Sequence, residues 1–186
     1  FVGHEQAVTD GCFSPDGKWA LTASADGTLR LWAPKTGMSK HVFRLGEAGL
    51  TCLANNGGND GMLVLVGSED GCAHVCHIGT KKVVTTLRHF EAPIETDGGS
   101  EEEIQYPMSV EAVGFCPFQQ AWCATGGIDG CLKIWDLTKD GLCRHACVPP
   151  NEDKDSITRL KWHPKLPAIF TASVSGTIRL WDARNG

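Results

Sequence analysis

Four times in 186 residues the chain returns to one short phrase. It reads Asp26-Gly27-Thr28-Leu29-Arg30-Leu31-Trp32, then Asp70-Gly71-Cys72-Ala73-His74-Val75-Cys76, then Asp129-Gly130-Cys131-Leu132-Lys133-Ile134-Trp135, then Ser175-Gly176-Thr177-Ile178-Arg179-Leu180-Trp181. The starts lie 44, 59 and 46 residues apart. A period of about 45 residues with strand-like content marks stacked sheet units, each too small to cover its own apolar faces. Repeats of this kind build binding surfaces more often than active sites.

Each phrase is a tight turn followed by a strand. The Asp-Gly pair supplies the turn, because glycine accepts positive φ at little cost and aspartate bonds the local backbone. In the first strand, Leu29 and Leu31 face one way and Thr28, Arg30 and Trp32 the other. An apolar run precedes each turn: Trp19 to Ser24, Leu63 to Val66, Ala121 to Thr125 and Ile169 to Ser173. Another comes before it: Val8 to Phe13, Leu50 to Leu53, Val110 to Cys116 and Ile157 to Trp162. Turn residues join these two runs, most clearly at Ser14-Pro15-Asp16-Gly17 and over 55–61. A fourth, outer strand fits His41 to Leu45, Lys82 to Leu87 and Leu142 to Val148. Three or four short antiparallel strands per unit, set side by side, predict an all-β propeller. A solenoid and an immunoglobulin-like sandwich compete, but the recurrent Asp-Gly-x-apolar-x-apolar-Trp phrase favours blades. Their expected bounds are 3–47, 48–88, 108–149 and 155–186, with an insert over 89–107.

The stretch from Gly3-His4 to Trp32 resembles the WD repeat, with Phe13-Ser14-Pro15-Asp16-Gly17 inside it and the name dipeptide at Trp135-Asp136 and Trp181-Asp182. The resemblance implies a buried tetrad of His, Ser or Thr, Asp and Trp in each blade. His4, Thr22, Asp26 and Trp32 match it in full. Blade three offers Thr125, Asp129 and Trp135 with no histidine at the usual distance, and blade four Thr171 and Trp181 with Ser175 for the aspartate. Blade two keeps only Asp70, with Val66 and Cys76 at the other positions. One complete and three partial networks are therefore expected. Four blades make a poor ring, and most propellers have more. The chain opens just before Gly-His and stops where a fourth outer strand would begin, so it reads as part of a ring of about seven blades.

A 41% hydrophobic content and a net charge of −5 suit a soluble globular protein, and no apolar run nears the length of a membrane span. Nine cysteines fall mostly inside strand patterns, where they act as small core residues. Reduced thiols point to a cytoplasmic location, with nuclear access open. Cys72, His74, Cys76 and His77 have the look of metal ligands, as do Cys143, His145 and Cys147. The repeat explains the first set otherwise: Cys72 stands at the Thr28 position and Cys76 at the Trp32 position. Neither set has a second cysteine pair at zinc spacing. No metal or cofactor is expected. No nucleophile–base pairing, phosphate loop or His-linked carboxylate pair is present, so no enzymatic activity is expected.

The spacing into the third repeat is about 14 residues longer than the other two, which fits a loop with no core role. Glu91, Glu95, Asp97, Glu101, Glu102 and Glu103 fall there within thirteen residues that hold no Lys or Arg. A solvated acidic loop has this composition. So does an electrostatic lure for a basic segment, joining one blade's outer strand to the next blade's inner strand on the face propellers use for binding. The acidic balance argues against a nucleic-acid surface. Ser109-Val110-Glu111-Ala112-Val113-Gly114-Phe115-Cys116, Leu50-Thr51-Cys52-Leu53-Ala54-Asn55 and Leu142-Cys143-Arg144-His145 look like one eukaryotic branch of the WD family. That resemblance implies a chaperone-like binder of a basic ribosomal protein of the large subunit, as in the branch's fungal member, with Glu69 and Asp70 adding to the acidic face. Two other readings stand beside it. Asp182 and Arg184 resemble the Trp-Asp-x-Arg signature by which substrate receptors dock on a cullin-type ubiquitin ligase. A general assembly scaffold is the third.

Overall fold

The computed structural model describes residues 1–57, 62–90, 108–149 and 155–186. Four antiparallel sheets follow one another along the chain. The first holds β1 (Val8–Phe13), β2 (Ala20–Ser24), β3 (Thr28–Ala33) and β4 (Met38–Arg44). The second holds β5 (Leu50–Asn55), β6 (Leu63–Ser68), β7 (Cys72–His77) and β8 (Lys82–Arg88). The third holds β9 (Val110–Phe115), β10 (Trp122–Gly127), β11 (Leu132–Asp136) and β12 (Leu142–Cys147). The fourth holds β13 (Ile157–Trp162), β14 (Ala168–Ser173) and β15 (Ile178–Asp182). Strands pair in chain order within every sheet, and β1 packs beside β5, β5 beside β9 and β9 beside β13. The first strands thus gather at the axis and the fourth strands lie outside, which is the propeller arrangement.

The phrase between the second and third strands forms the same turn each time. Gly27, Gly71, Gly130 and Gly176 all sit at φ between 72° and 86°, a region that side chains avoid. Asp26 Oδ1 accepts the amide of Thr28 at 2.9 Å, and Asp70 and Asp129 accept those of Cys72 and Cys131 at 3.0 Å. Bulges recur as well. The first-to-second strand register slips at Val8/Asp10, Leu50/Cys52 and Ile157/Arg159, and also beside Val110. A bulge turns its extra residue out of the ladder. Thr9, the residue skipped in β1, reaches back to the Ala23 carbonyl at 3.2 Å and across to the Leu50 carbonyl of the next blade at 2.7 Å. Thr51 in β5 donates likewise to the Val110 carbonyl. These hydroxyls tie consecutive blades together at the axis.

Apolar packing does the rest. Leu21, Leu29 and Leu31 of blade one lie in one cluster with Leu50, Leu53 and Val64 of blade two. Leu65, Ala73 and Val75 of blade two meet Val110 and Cys123 of blade three, and Leu132 and Ile134 of blade three meet Ile157, Leu160 and Ile169 of blade four. Each fully buried leucine or isoleucine contributes roughly 1.5–3 kcal/mol, so the blade junctions, not the blades, carry the core. All nine cysteines are free thiols within or beside these strands.

Candidate functional site

The blades are pinned by polar networks; that of blade one is complete, and that of blade three has all four members with a looser histidine–aspartate contact. In blade one the indole Nε1 of Trp32 donates to Thr22 Oγ1 at 2.8 Å, Thr22 Oγ1 lies 2.7 Å from His4 Nε2, and His4 Nδ1 lies 2.9 Å from Asp26 Oδ2. A neutral ring that donates from Nδ1 accepts at Nε2, so donation runs one way, from tryptophan through threonine and histidine to the carboxylate. The Glu5 amide donates to the same Asp26 oxygen at 3.0 Å.

Blade three corrects the sequence expectation. Its histidine is His89, the first residue of the expected insert, 36 residues before Thr125. His89 Nδ1 lies 2.7 Å from Thr125 Oγ1, Trp135 Nε1 donates to that oxygen at 2.9 Å, and His89 Nε2 faces Asp129 at 3.5 Å. The ring is turned over relative to His4. The insert lengthens the chain between histidine and inner strand without moving the histidine, so a spacing rule misses it. The signal was the His89-Phe90 pair directly after the outer strand, where a Gly-His pair is usual.

Blade four moves the carboxylate to the other side of the same contact. Trp181 donates to Thr171 Oγ1 at 2.9 Å. Ser175 takes the aspartate position, and Asp155 from the preceding loop accepts from the Ser175 amide at 3.0 Å and from the Ser173 and Ser175 hydroxyls. Blade two has no tetrad: Val66 and Cys76 are fully buried in place of threonine and tryptophan. Replacing both partners of a buried hydrogen bond by apolar groups leaves nothing unpaired, so the blade packs without loss.

These contacts set the acid response. Burial acts to raise the Asp26 and Asp129 carboxyls, but hydrogen bonds from Thr28, Glu5 and His4 for Asp26, and from His89 and Cys131 for Asp129, outweigh it and hold both below the usual carboxylate range. The folded protein therefore binds fewer protons than the unfolded chain just below pH ~4. Stability is fully present above that value and is lost as pH falls through the folded pKa values. Asp26→Asn should give a shallower acid limb in urea titrations from about pH 2 to pH 6; a limb of unchanged steepness would show that Asp26 is not a main source of it.

The cysteine–histidine groups are occupied otherwise. Burial pushes the Cys76 thiol up to about 12 and raises that of Cys72. His74 pairs with Thr86 Oγ1 at 3.1 Å, and His77 Nδ1 accepts the Thr80 amide at 3.0 Å. The Cys143 thiol donates to the His145 carbonyl at 3.5 Å, and burial lifts Cys147 to about 11. Among the described residues no three His, Cys, Asp or Glu side chains converge as a metal site. Asp182 and Arg184 close on each other: Arg184 Nε and Nη2 reach the carboxylate at 2.9 and 2.5 Å, in the exposed turn after β15. The Arg184 fork is spent within its own turn.

The topology also sorts charge, which the linear sequence hides. The turns between second and third strands and the loops between blades share one end of the molecule. Among the described residues those segments carry Glu5, Asp26, Glu47, Glu69, Asp70, Asp129 and Asp155 and no Lys or Arg. Arg44 and Arg88, last residues of β4 and β8, are the cations beside them. Glu5, Glu47, Glu69 and Asp70 are exposed there. The remaining turns form the other end, with Lys18, Lys35, Lys81, Lys139, Lys165 and Arg184 against Asp16 and Asp140. Glu91, Glu95, Asp97, Glu101, Glu102 and Glu103 lie outside the described residues. Both flanks of their segment sit at the acidic end: His89 and Phe90 donate to the Gly71 carbonyl at 3.0 and 3.4 Å, and Ser109 accepts the Ile128 amide at 3.0 Å. Inside the axis, Asp10, Glu111, Arg159 and Lys161 line a cavity of about 460 Å³ with mixed charge.

Radial sheets with tetrad-pinned loops define a propeller scaffold. The chain belongs to the WD domain, G-beta repeat family, whose model matches residues 1–33, 108–136 and 145–182. It is 38% identical over its whole length to Angio-associated migratory cell protein of Canis lupus familiaris and of Homo sapiens, covering 41% and 42% of those proteins. It is 28% identical over 99% of its length to an uncharacterized WD repeat-containing protein of Schizosaccharomyces pombe, covering 43% of that protein. The chain thus spans about two-fifths of the length of these curated relatives. Among solved structures, the computationally designed Ika4 protein shares the fold at a TM-score of 0.69 and 23% identity, over 97% of this chain and 93% of that one.

Proposed function

We propose that this chain is a binding scaffold that receives a basic segment of a partner protein on its acidic loop end, without catalysing a reaction. One observation carries the reading: the loops between blades and the turns beside them are acidic without a single Lys or Arg among the described residues, while the opposite turns are mainly basic. Such a field orients a cationic partner toward one end and speeds its encounter. The insert adds six carboxylates to the same stretch of sequence, and its flanks are fixed at that end. A basic client such as a nascent ribosomal protein, met in the cytoplasm, has the matching chemistry. Shielding its charge from nucleic acid is the service that such a surface performs.

The test is binding of a lysine- and arginine-rich peptide followed by fluorescence anisotropy across a salt series. The unchanged chain should bind with affinity that falls steeply as salt rises. The triple change Glu101→Gln, Glu102→Gln, Glu103→Gln should weaken binding roughly fivefold and flatten the salt dependence, at a few tenths of a kcal/mol per charge. Equal affinity and equal salt slope for the two forms would overturn the role of the insert.

A further inference from the structure

The outer strands of blades one and two carry cations without carboxylates. No Asp or Glu falls between Asp26 and Glu47 or between Asp70 and Glu91, whereas Lys35, Lys40, Lys81 and Lys82 stand exposed there, toward the basic end. None of these four lysines has an ion-pair partner among the described residues. One of them sits where other blades use glycine. Gly37, Lys81 and Gly186 each donate their amide to the carbonyl four residues back, on Ala33, His77 and Asp182, at 2.8 to 2.9 Å. All three lie at positive φ, of 69°, 59° and 85°. That region is costly for a side chain, so Lys81 is held there against local preference. Burial and, after it, the Lys81 charge lower the pKa of the His41 imidazole, which places that charge beside the outer strand of blade one. The strand that follows Lys81 has an open edge. β8 is the last strand of its sheet and pairs only with β7. It reads Lys82-Val83-Val84-Thr85-Thr86-Leu87-Arg88, with four β-branched residues in a row. Val83 and Val84 are 46% and 55% exposed, whereas β4 and β12 each show one large exposed apolar residue, Met38 and Leu142. Blade two has a neighbour on each side, so the exposure of its outer edge belongs to the fold.

We infer that the free edge of β8 takes up an extended acidic segment of a partner protein as an added strand, its carboxylates against Lys81 and Lys82 and its apolar side chains on Val83 and Val84. Lys35 and Lys40 of blade one add to the attracting field. A strand edge supplies main-chain hydrogen bonds, and the side chains along it choose the partner. An uncharged β-branched edge invites a second copy of the same chain. Here the charges oppose one. Antiparallel pairing of two β8 edges sets Lys82 against Arg88, and parallel pairing sets each cation against its own kind. A segment that alternates carboxylates with branched apolar residues meets neither obstacle. Nucleic acid suits the edge less, because the exposed groups beside the lysines are aliphatic and β8 holds no aromatic ring for base stacking. The start of β8 lies at the end of the molecule opposite the acidic loops, so this surface is separate from theirs.

A synthetic peptide as long as β8, with glutamate and valine in alternation, tests this by fluorescence anisotropy. The unchanged chain should bind it, and more weakly as salt rises. The double change Lys81→Gly, Lys82→Gln should weaken binding roughly fivefold. Glycine is the residue of the equivalent turns, so this variant keeps the fold and the loss reads the missing charges. N-methylation of one set of alternate peptide amides should abolish binding, and of the other set should leave it, because an added strand turns only every second amide toward its neighbour. No binding by the unchanged chain, equal binding by the double variant, or an equal effect of the two methylation patterns would overturn the inference. So would tighter binding of a uridine oligonucleotide than of the peptide, lost with the same two lysines, which would make the edge a nucleic-acid site.

Discussion

Trp32→Ala should destabilise the chain by about 3–5 kcal/mol, the range for truncating a large aromatic side chain in a core. The indole is only 2% exposed. It stacks on Phe1, with ring centroids 5.3 Å apart and planes within 8°, and meets the His4 ring edge-on at 6.0 Å. Its truncation opens a cavity and removes the donor that orients Thr22, so the proton order of the whole tetrad loses its start. The expected fall in melting temperature is roughly 6–20 °C, at about 2–4 °C per kcal/mol for a chain of this size. Trp181→Ala should cost less, because Trp181 keeps the bond to Thr171 but is only partly buried. Thermal melts of the two variants decide the matter. An unchanged melting temperature for Trp32→Ala would show that the tetrad does not hold the blade.

His89→Ala should cost about 2–4 kcal/mol, second only to the tryptophan. His89 is 1% exposed, and Thr125, its partner, is fully buried. Without the ring, Thr125 Oγ1 keeps only the Trp135 donor, and Asp129 loses the group that helps to hold its carboxyl low. His89→Gln, which retains a donor and an acceptor, should recover part of the loss. Urea titration gives both values. If His89→Ala unfolds at the same midpoint as the unchanged chain, the histidine that opens the insert is not a member of the blade-three network. The variant also separates anchoring from charge: it loosens one flank of the acidic segment while leaving every glutamate in place, so the slope of peptide affinity against salt should hold.

Much of the fold was legible residue by residue. Period-2 apolar runs and Asp-Gly turns are local chemistry, and the strands they marked are the strands observed, with β4 starting at Met38 and β6 running on to Ser68. The first tetrad was legible because His4, Thr22, Asp26 and Trp32 keep ordinary repeat spacing. His89 was missed because the insert separates it from its strand. Asp155 was missed because it supplies from the loop what the other blades supply from the turn. Spacing rules read the path along the chain, and both residues act across it.

The sequence by itself determined four repeat units, their turns, the apolar face that each strand shows its neighbour and an acidic excess. Those follow from interactions a few residues long. Only the tertiary structure decided which polar groups meet in the blades and that acidic and basic turns part to opposite ends. The reason is that a blade's faces are completed by another blade. Equal residues at equal repeat positions acquire different environments according to what stands beside them, and no local pattern encodes that.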